Sequence, residues 1–214
     1  MKAIIAGSTG EVGKNVLLQL LDKDLFHEVT SLTRRKSLIE HGKLNNQHID
    51  FDAIEKLAPI NADALFCCLG TTIKKAGSKE QFRKVDFKYV VDLASWAKKA
   101  GVQQFHVVSA MGANSKSGVF YNRTKGEMEE ALIQFKFDST YIYRPSLLDS
   151  DRDEKRIGER IGILVFRFLK FLFIGPLKKY ASIKVGDVAR GMVARSVKSE
   201  KGVFVIDSDK IPVI

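Results

Sequence analysis

Ser109, Tyr121 and Lys125 are the residues of this 214-residue chain whose types and spacing best suit proton transfer. Residues 107–125 read VVSAMGANSKSGVFYNRTK: a serine closes an apolar run, a tyrosine follows a polar loop, and a lysine comes four positions after the tyrosine. A tyrosine and a lysine at i and i+4 share one helix face. An ammonium beside a phenol favours the phenolate, so such a pair can take and return a proton. A nearby serine hydroxyl can donate to an oxygen that gains charge. The spacing alone selects little, because Tyr180 and Lys184 repeat it. Tyr180 follows Gly-Pro and two lysines, with no serine at a strand end before it, and reads as a surface or cap residue.

The elements that position these residues decide between the two pairs. Apolar β-branched runs predict strands over 2–6, 29–33, 64–69, 104–109, 139–143 and 203–206, with a weak strand over 48–51. Helical spacing of apolar residues predicts helices over 12–21, 81–100, 121–135, 157–173 and 188–197, the second closed by Gly101. Strands alternating with helices predict an α/β fold: one doubly wound parallel sheet covered on both faces. With 45% hydrophobic and 28% charged residues, the chain has the make-up of an ordinary globular domain, and we expect a single domain over 1–214. Ligands of such sheets sit outside the carboxyl ends of the strands. Ser109 falls at such an end and Tyr121 opens the following helix, so context selects Ser109, Tyr121 and Lys125.

A glycine turn says what else binds there. Gly7-Ser8-Thr9-Gly10-Glu11-Val12-Gly13 follows the first strand and opens the first helix. In that context one glycine makes the tight turn, the next lets the backbone approach a pyrophosphate, and the last permits close helix–strand packing. The helix N-terminus offers N–H groups to the anion. A dinucleotide is expected. Thr33-Arg34-Arg35 ends the second strand about 20 residues on, as the fingerprint requires. No acid is present to bond ribose hydroxyls, and an arginine can pair a 2′-phosphate, so NADP(H) is preferred over NAD. The chemistry then fits. A tyrosine pKa near 10 must fall by about three units, roughly 4 kcal/mol, to shuttle protons near neutrality. Lys125 and a nicotinamide cation both act in that direction, and Lys125 can also bond the nicotinamide ribose.

These residues resemble the atypical branch of the short-chain dehydrogenase/reductase superfamily. Cys67-Cys68-Leu69-Gly70-Thr71-Thr72, Lys75-Ala76-Gly77-Ser78, Phe82-Arg83-Lys84-Val85-Asp86, Lys125-Gly126-Glu127, and Phe137-Asp138 leading to Arg144-Pro145 are similar to the Tat-interacting protein family and its bacterial relatives, across most of residues 1–150. The resemblance implies a Rossmann-like fold, bound NADPH and a Ser/Tyr/Lys site. It implies that Gly7, Thr9, Gly10, Val12 and Gly13 hold the pyrophosphate and that Arg34 and Arg35 face the 2′-phosphate. It further implies that Asp50 and Phe51 flank the adenine, that Leu69, Gly70 and Thr71 line the nicotinamide-side ribose, and that Pro145 backs the nicotinamide. One departure stands out. Many superfamily members carry an asparagine of a proton relay where this chain offers Asp86.

About 70 residues follow Pro145 in the sequence, and residues 149–184 are expected to form a small helical substrate cap within the domain. Residues 152–184 hold nine Lys/Arg against three Asp/Glu, a large share of the net charge of +10. Residues 157–177 are apolar on nearly all sides; they pack over the domain, form a homodimer contact or rest on a membrane surface, and burial against the domain ranks first. No nucleic-acid signature accompanies the charge. Cys67 and Cys68 are adjacent and cannot pair without strain, and the histidines show no ligand spacing, so neither a disulfide nor a metal site is expected. The start MKAIIAG, with one lysine and a very short apolar run, is not expected to be a signal peptide, and a reducing, cytoplasmic location is expected.

The leading expectation is an NADPH-dependent oxidoreductase acting on a carbonyl or alcohol, with Tyr121 as acid/base, Lys125 lowering its pKa and Ser109 polarising the substrate. The alternatives are a non-catalytic NADPH-binding regulator of protein partners and a nucleotide-sugar epimerase or dehydratase. The substrate itself stays unnamed.

Overall fold

A computed structural model of the chain describes residues 1–34, 39–149, 181–198 and 200–213. Nine strands occur among them: β1 (Lys2–Ala6), β2 (Glu28–Thr33), β3 (Leu44–His48), β4 (Ala64–Cys67), β5 (Gln104–Val108), β6 (Ser139–Arg144), β7 (Leu148–Asp149), β8 (Ile183–Lys184) and β9 (Gly202–Asp207). Six α-helices accompany them: α1 (Glu11–Asp22), α2 (Ile73–Ala76), α3 (Lys79–Arg83), α4 (Tyr89–Lys99), α5 (Phe120–Ile133) and α6 (Val185–Ser196).

Seven strands form one parallel sheet in the order β3-β2-β1-β4-β5-β6-β9. β7 and β8 pair separately. This is the doubly wound arrangement that the alternation of elements predicts. The strands alternate their apolar side chains between two cores. Ile4 and Ala6 of β1 join a core with Val90, Leu93 and Ala94 of α4 and Met128 and Leu132 of α5. Ala3 and Ile5 join the opposite core, with Val16, Leu17 and Leu20 of α1 and Val188 and Met192 of α6. Cys67 belongs to the first core and Cys68 packs against the second, so the two free thiols point apart across the sheet. From β1 the chain runs outward to β2 and β3; from β4 it runs outward the other way. The crevice at the carboxyl ends of β1 and β4 is therefore the switch point where such folds bind ligands.

Two elements differ from expectation. The third strand is Leu44–His48, not 48–51, and residues Phe51–Lys56 turn as a 3-10 helix. β3 is an edge strand of half-exposed polar residues, LNNQH, so no apolar run marks it. The Asp50 side chain accepts from Asp52 N at 2.9 Å and turns the chain directly after it. The expected 81–100 helix is α3 and α4 joined by one wide π turn over Lys84–Lys88. The 157–173 helix, and most of the 149–184 cap, lie outside the described residues.

Candidate functional site

The glycine turn after β1 is shaped by contacts that exclude a Cβ atom. Gly7 adopts φ +86°, which favours glycine, and a Cβ there would sit 2.6 Å from the Cys68 backbone. A Cβ on Gly13 would meet Gly7 O at 2.1 Å, so α1 can enter beside β1 only with glycine at that position. Gly10 N donates to Gly7 O at 3.0 Å, and no side chain caps α1. The first N–H groups of α1 thus remain available to an anion. A pyrophosphate fits this cradle.

Two further strand ends close the crevice. β4 leads into Cys68, Leu69, Gly70 and Thr71; β5 leads into Ser109. Together with Thr9, Gly10 and Val12 of the glycine turn they line one cleft of about 540 Å³, with Tyr121, Lys125 and Pro145 on its other wall. Of the expected site residues, ten line this cleft, and Gly7 and Gly13 shape its floor. Arg34 is exposed at the end of β2 and is not among the lining residues; its carbonyl accepts from His48 Nε2 at 2.9 Å. Arg35 lies outside the described residues. Asp50 is exposed and caps the 3-10 turn, while Phe51 is buried in the core beside Tyr89, ring centroids 5.7 Å apart. Neither lines the cleft, and the Phe51 ring is committed to the core rather than to an adenine.

Helix α5 carries the proton-transfer candidates on one face. Tyr121, Lys125 and Glu129 follow one another at four-residue steps, so they point the same way. Gly126 makes this placement possible: a Cβ there would lie 2.1 Å from Ser115 N, so the loop after β5 lies directly on the helix. Asn114 N donates to Asn122 O at 3.0 Å and ties that loop to the first turn of α5. The buried Phe82 ring of α3 packs against Tyr121, centroids 5.3 Å apart.

Two carboxylates reach into this face. Asp86, turned inward by the π turn, lies 2.8 Å from Lys125 Nζ, and its other oxygen accepts from Thr71 N at 2.8 Å. Gly70 covers the pair: a Cβ there would be 3.4 Å from Asp86 Oδ1. Glu129 accepts the Ser109 hydroxyl proton at 2.5 Å and holds Arg144 of β6 through both oxygens. Sequence spacing placed Glu129 eight residues after Tyr121, but its partners come from β5 and β6, and only the β5–β6 pairing brings them to it.

The electrostatics differ from the expected lowering of the Tyr121 pKa. Burial raises the phenol, Lys125 lowers it, and Asp86 raises it again; the net direction is upward. Burial opposes the charge on Lys125, but Asp86 and Tyr121 outweigh it and hold the ammonium charged. Burial pushes the Cys67 thiol up to about 12 and Cys68 well above the ordinary range, so both are inert thiols.

A glycine cradle at the switch point of a parallel sheet, next to a Tyr/Lys helix face, defines a nicotinamide-dinucleotide-binding α/β protein. Residues 7–166 match the NAD(P)H-binding family model, and the chain belongs to that family. It is 39% identical to the rat (Rattus norvegicus) protein HTATIP2 over 160 residues, 72% of this chain and 66% of the rat protein. It is 31% identical to the mitochondrial protein FMP52 of Candida albicans over 208 residues, 94% of this chain and 91% of the yeast protein. Among solved structures, MoeE5 in complex with UDP-glucose and NAD has a TM-score of 0.71 at 15% identity, covering 96% of this chain and 75% of that one. The oxidoreductase ylbE from Lactococcus lactis has a TM-score of 0.66 at 20% identity, covering 95% and 92%. These two share the fold. The expected cytoplasmic location is overturned by the yeast relatives, which are named mitochondrial. Unpaired cysteines suit any reducing compartment, and a fold carries no address, so neither feature could identify the compartment.

Proposed function

We propose that the chain is an NADP(H)-dependent oxidoreductase that interconverts a carbonyl and an alcohol. The observation that carries this reading is the sharing of one cleft by the glycine turn, the β4 end and the Ser109/Tyr121/Lys125 group. Thr9, Gly10 and Val12 would hold the pyrophosphate at the α1 N-terminus, and Leu69, Gly70 and Thr71 the ribose nearest the nicotinamide. Arg34 at the end of β2 supports the 2′-phosphate form, since no acid stands there. A bound nicotinamide supplies or accepts the hydride. Tyr121 gives its proton to the substrate oxygen during reduction and takes it back during oxidation. Lys125 orients that ribose and stabilises the phenolate when it forms. Pro145 walls the nicotinamide side, and the residues of 149–184 would supply the cap over the substrate. The test is turnover of NADPH against a panel of aldehydes, ketones and quinones. Natural chain that oxidises NADPH while Tyr121→Phe binds it but does not would support the assignment; equal rates would end it.

A second reading has its own support. Asp86 offsets Lys125, and Glu129 occupies the Ser109 proton, so the site as arranged is poorly activated. A NADPH-binding protein that signals to partners through cofactor loading fits that arrangement. Partner recovery that does not change with NADPH would count against it. Nucleotide-sugar chemistry, drawn from solved neighbours that hold UDP-sugars, predicts that UDP-glucose raises the melting temperature.

A further inference from the structure

We infer that Asp86 is a positioning residue that sets the protonation state of Tyr121: by taking the charge of Lys125 into a buried ion pair, it keeps the phenol stocked as a proton donor. The inference rests on the reading of Tyr121 as the proton carrier. Its basis is geometric. Asp86 is 1% exposed and Lys125 4% exposed in their side chains, at 2.8 Å. The carboxylate cannot leave easily, because its second oxygen is held by Thr71 N and the π turn fixes its backbone. An asparagine at that position would give the lysine no full counter-charge. Here the phenol meets an ammonium and a carboxylate together, and their effects oppose each other.

Among the described residues, the charged groups that act on the phenol are Lys125 and Asp86, and Lys75 lines the same cleft. On α5 itself Lys125 faces it; from the π turn comes Asp86; from α3 the Phe82 ring touches it without charge. From β4, Cys67 faces Lys125 and stays neutral. Burial is the largest influence on the phenol and raises it, Lys125 lowers it, and Asp86 adds to burial against Lys125, so the proton stays on Tyr121. A site of this kind is loaded for the reduction direction, in which the tyrosine begins as the acid.

Tyrosinate absorbance tests the inference without a substrate. The Tyr121 step is isolated as the difference between each protein and its matched Tyr121→Phe partner. In Asp86→Asn the step should move down by about one pH unit or more, a tenfold change in the acid equilibrium. Lys125→Arg keeps the charge and the pair, and should leave the step in place. Should Asp86→Asn fail to fold, the Asp86→Asn/Lys125→Met protein removes both charges together, and its step should fall below that of Lys125→Met alone, because the carboxylate's upward push is then gone as well. A step that does not move in Asp86→Asn overturns the inference. So does a step in the double substitution that equals that of Lys125→Met alone, since Asp86 would then have offset nothing. NADPH uptake by the natural chain is measured alongside: its absence would remove the oxidoreductase reading while leaving the titration result standing.

Discussion

Asp86 and Lys125 are 2.8 Å apart and almost wholly removed from solvent, so the ammonium that a tyrosine–lysine pair relies on arrives with its own counter-ion. The pair stitches three segments together: the β4 end through Thr71, the π turn through Asp86 and α5 through Lys125. Its breakage should be felt in stability as well as in chemistry.

Removing one member leaves a buried charge without a partner. Lys125→Met is expected to destabilise the fold by about 3–5 kcal/mol. Asp86→Asn/Lys125→Met should cost clearly less than the sum of its parts, because neither charge is then stranded. Urea unfolding of the natural chain, Asp86→Asn, Lys125→Met and the double substitution measures the coupling.

In the proposed reading Arg34, exposed at the end of β2, pairs the 2′-phosphate. Arg34→Ala should weaken NADPH binding about tenfold, or 1.4 kcal/mol, within the range of a hydrogen bond to a charged group. NADH binding should change little. Paired titrations with the two cofactors check it, and equal losses would move the phosphate site elsewhere.

Two glycines are set against backbone, which cannot yield as a flexible side chain can. A Cβ on Gly13 meets Gly7 O at 2.1 Å, and one on Gly126 meets Ser115 N at 2.1 Å. Gly13→Ala and Gly126→Ala should each cost about 3 kcal/mol, the upper end of overpacking. For a chain of this size that is a fall in melting temperature of about 6–12 °C. Gly13→Ala should also lose dinucleotide binding, whereas Gly126→Ala should displace Tyr121 and spare the pyrophosphate cradle.

His106 predicts acid sensitivity. It is fully buried, stacked between Phe66 and Tyr141, and its Nδ1 lies 3.0 Å from the Tyr143 hydroxyl. Burial lowers its pKa to about 3, below the unfolded value of about 6.5. The unfolded chain therefore binds a proton that the folded one refuses, and the stability present above pH 6.5 is lost as pH falls toward 3. At pH 5 the loss is about 2 kcal/mol. Urea midpoints at pH 7 and pH 5 measure it, and His106→Gln should flatten the difference.

The glycine turn and the strand–helix alternation were legible because backbone geometry demands particular residues there. The Ser109/Tyr121/Lys125 group was legible because the fold's connectivity places strand ends and helix starts at one rim. Glu129 was half legible: its spacing from Tyr121 is plain, but Arg144 and Ser109 become its partners only when β5 and β6 pair. The placing of the Phe51 ring was not legible for a related reason. An aromatic residue after a weak strand carries no mark of which way the chain turns, and the Asp50 cap turns it into the core.

Local pattern therefore determined the parallel α/β architecture, the dinucleotide cradle and the identity of a phenol and an amine one helical turn apart, since each is written in neighbouring residues. The charge state of that phenol belongs to the tertiary structure. It follows from burial first, and then from the opposed effects of Lys125 and of a carboxylate 39 positions from it, delivered by a single widened helical turn into a place with almost no water. There the ammonium meets its counter-charge at 2.8 Å, a contact that spacing along the chain does not announce.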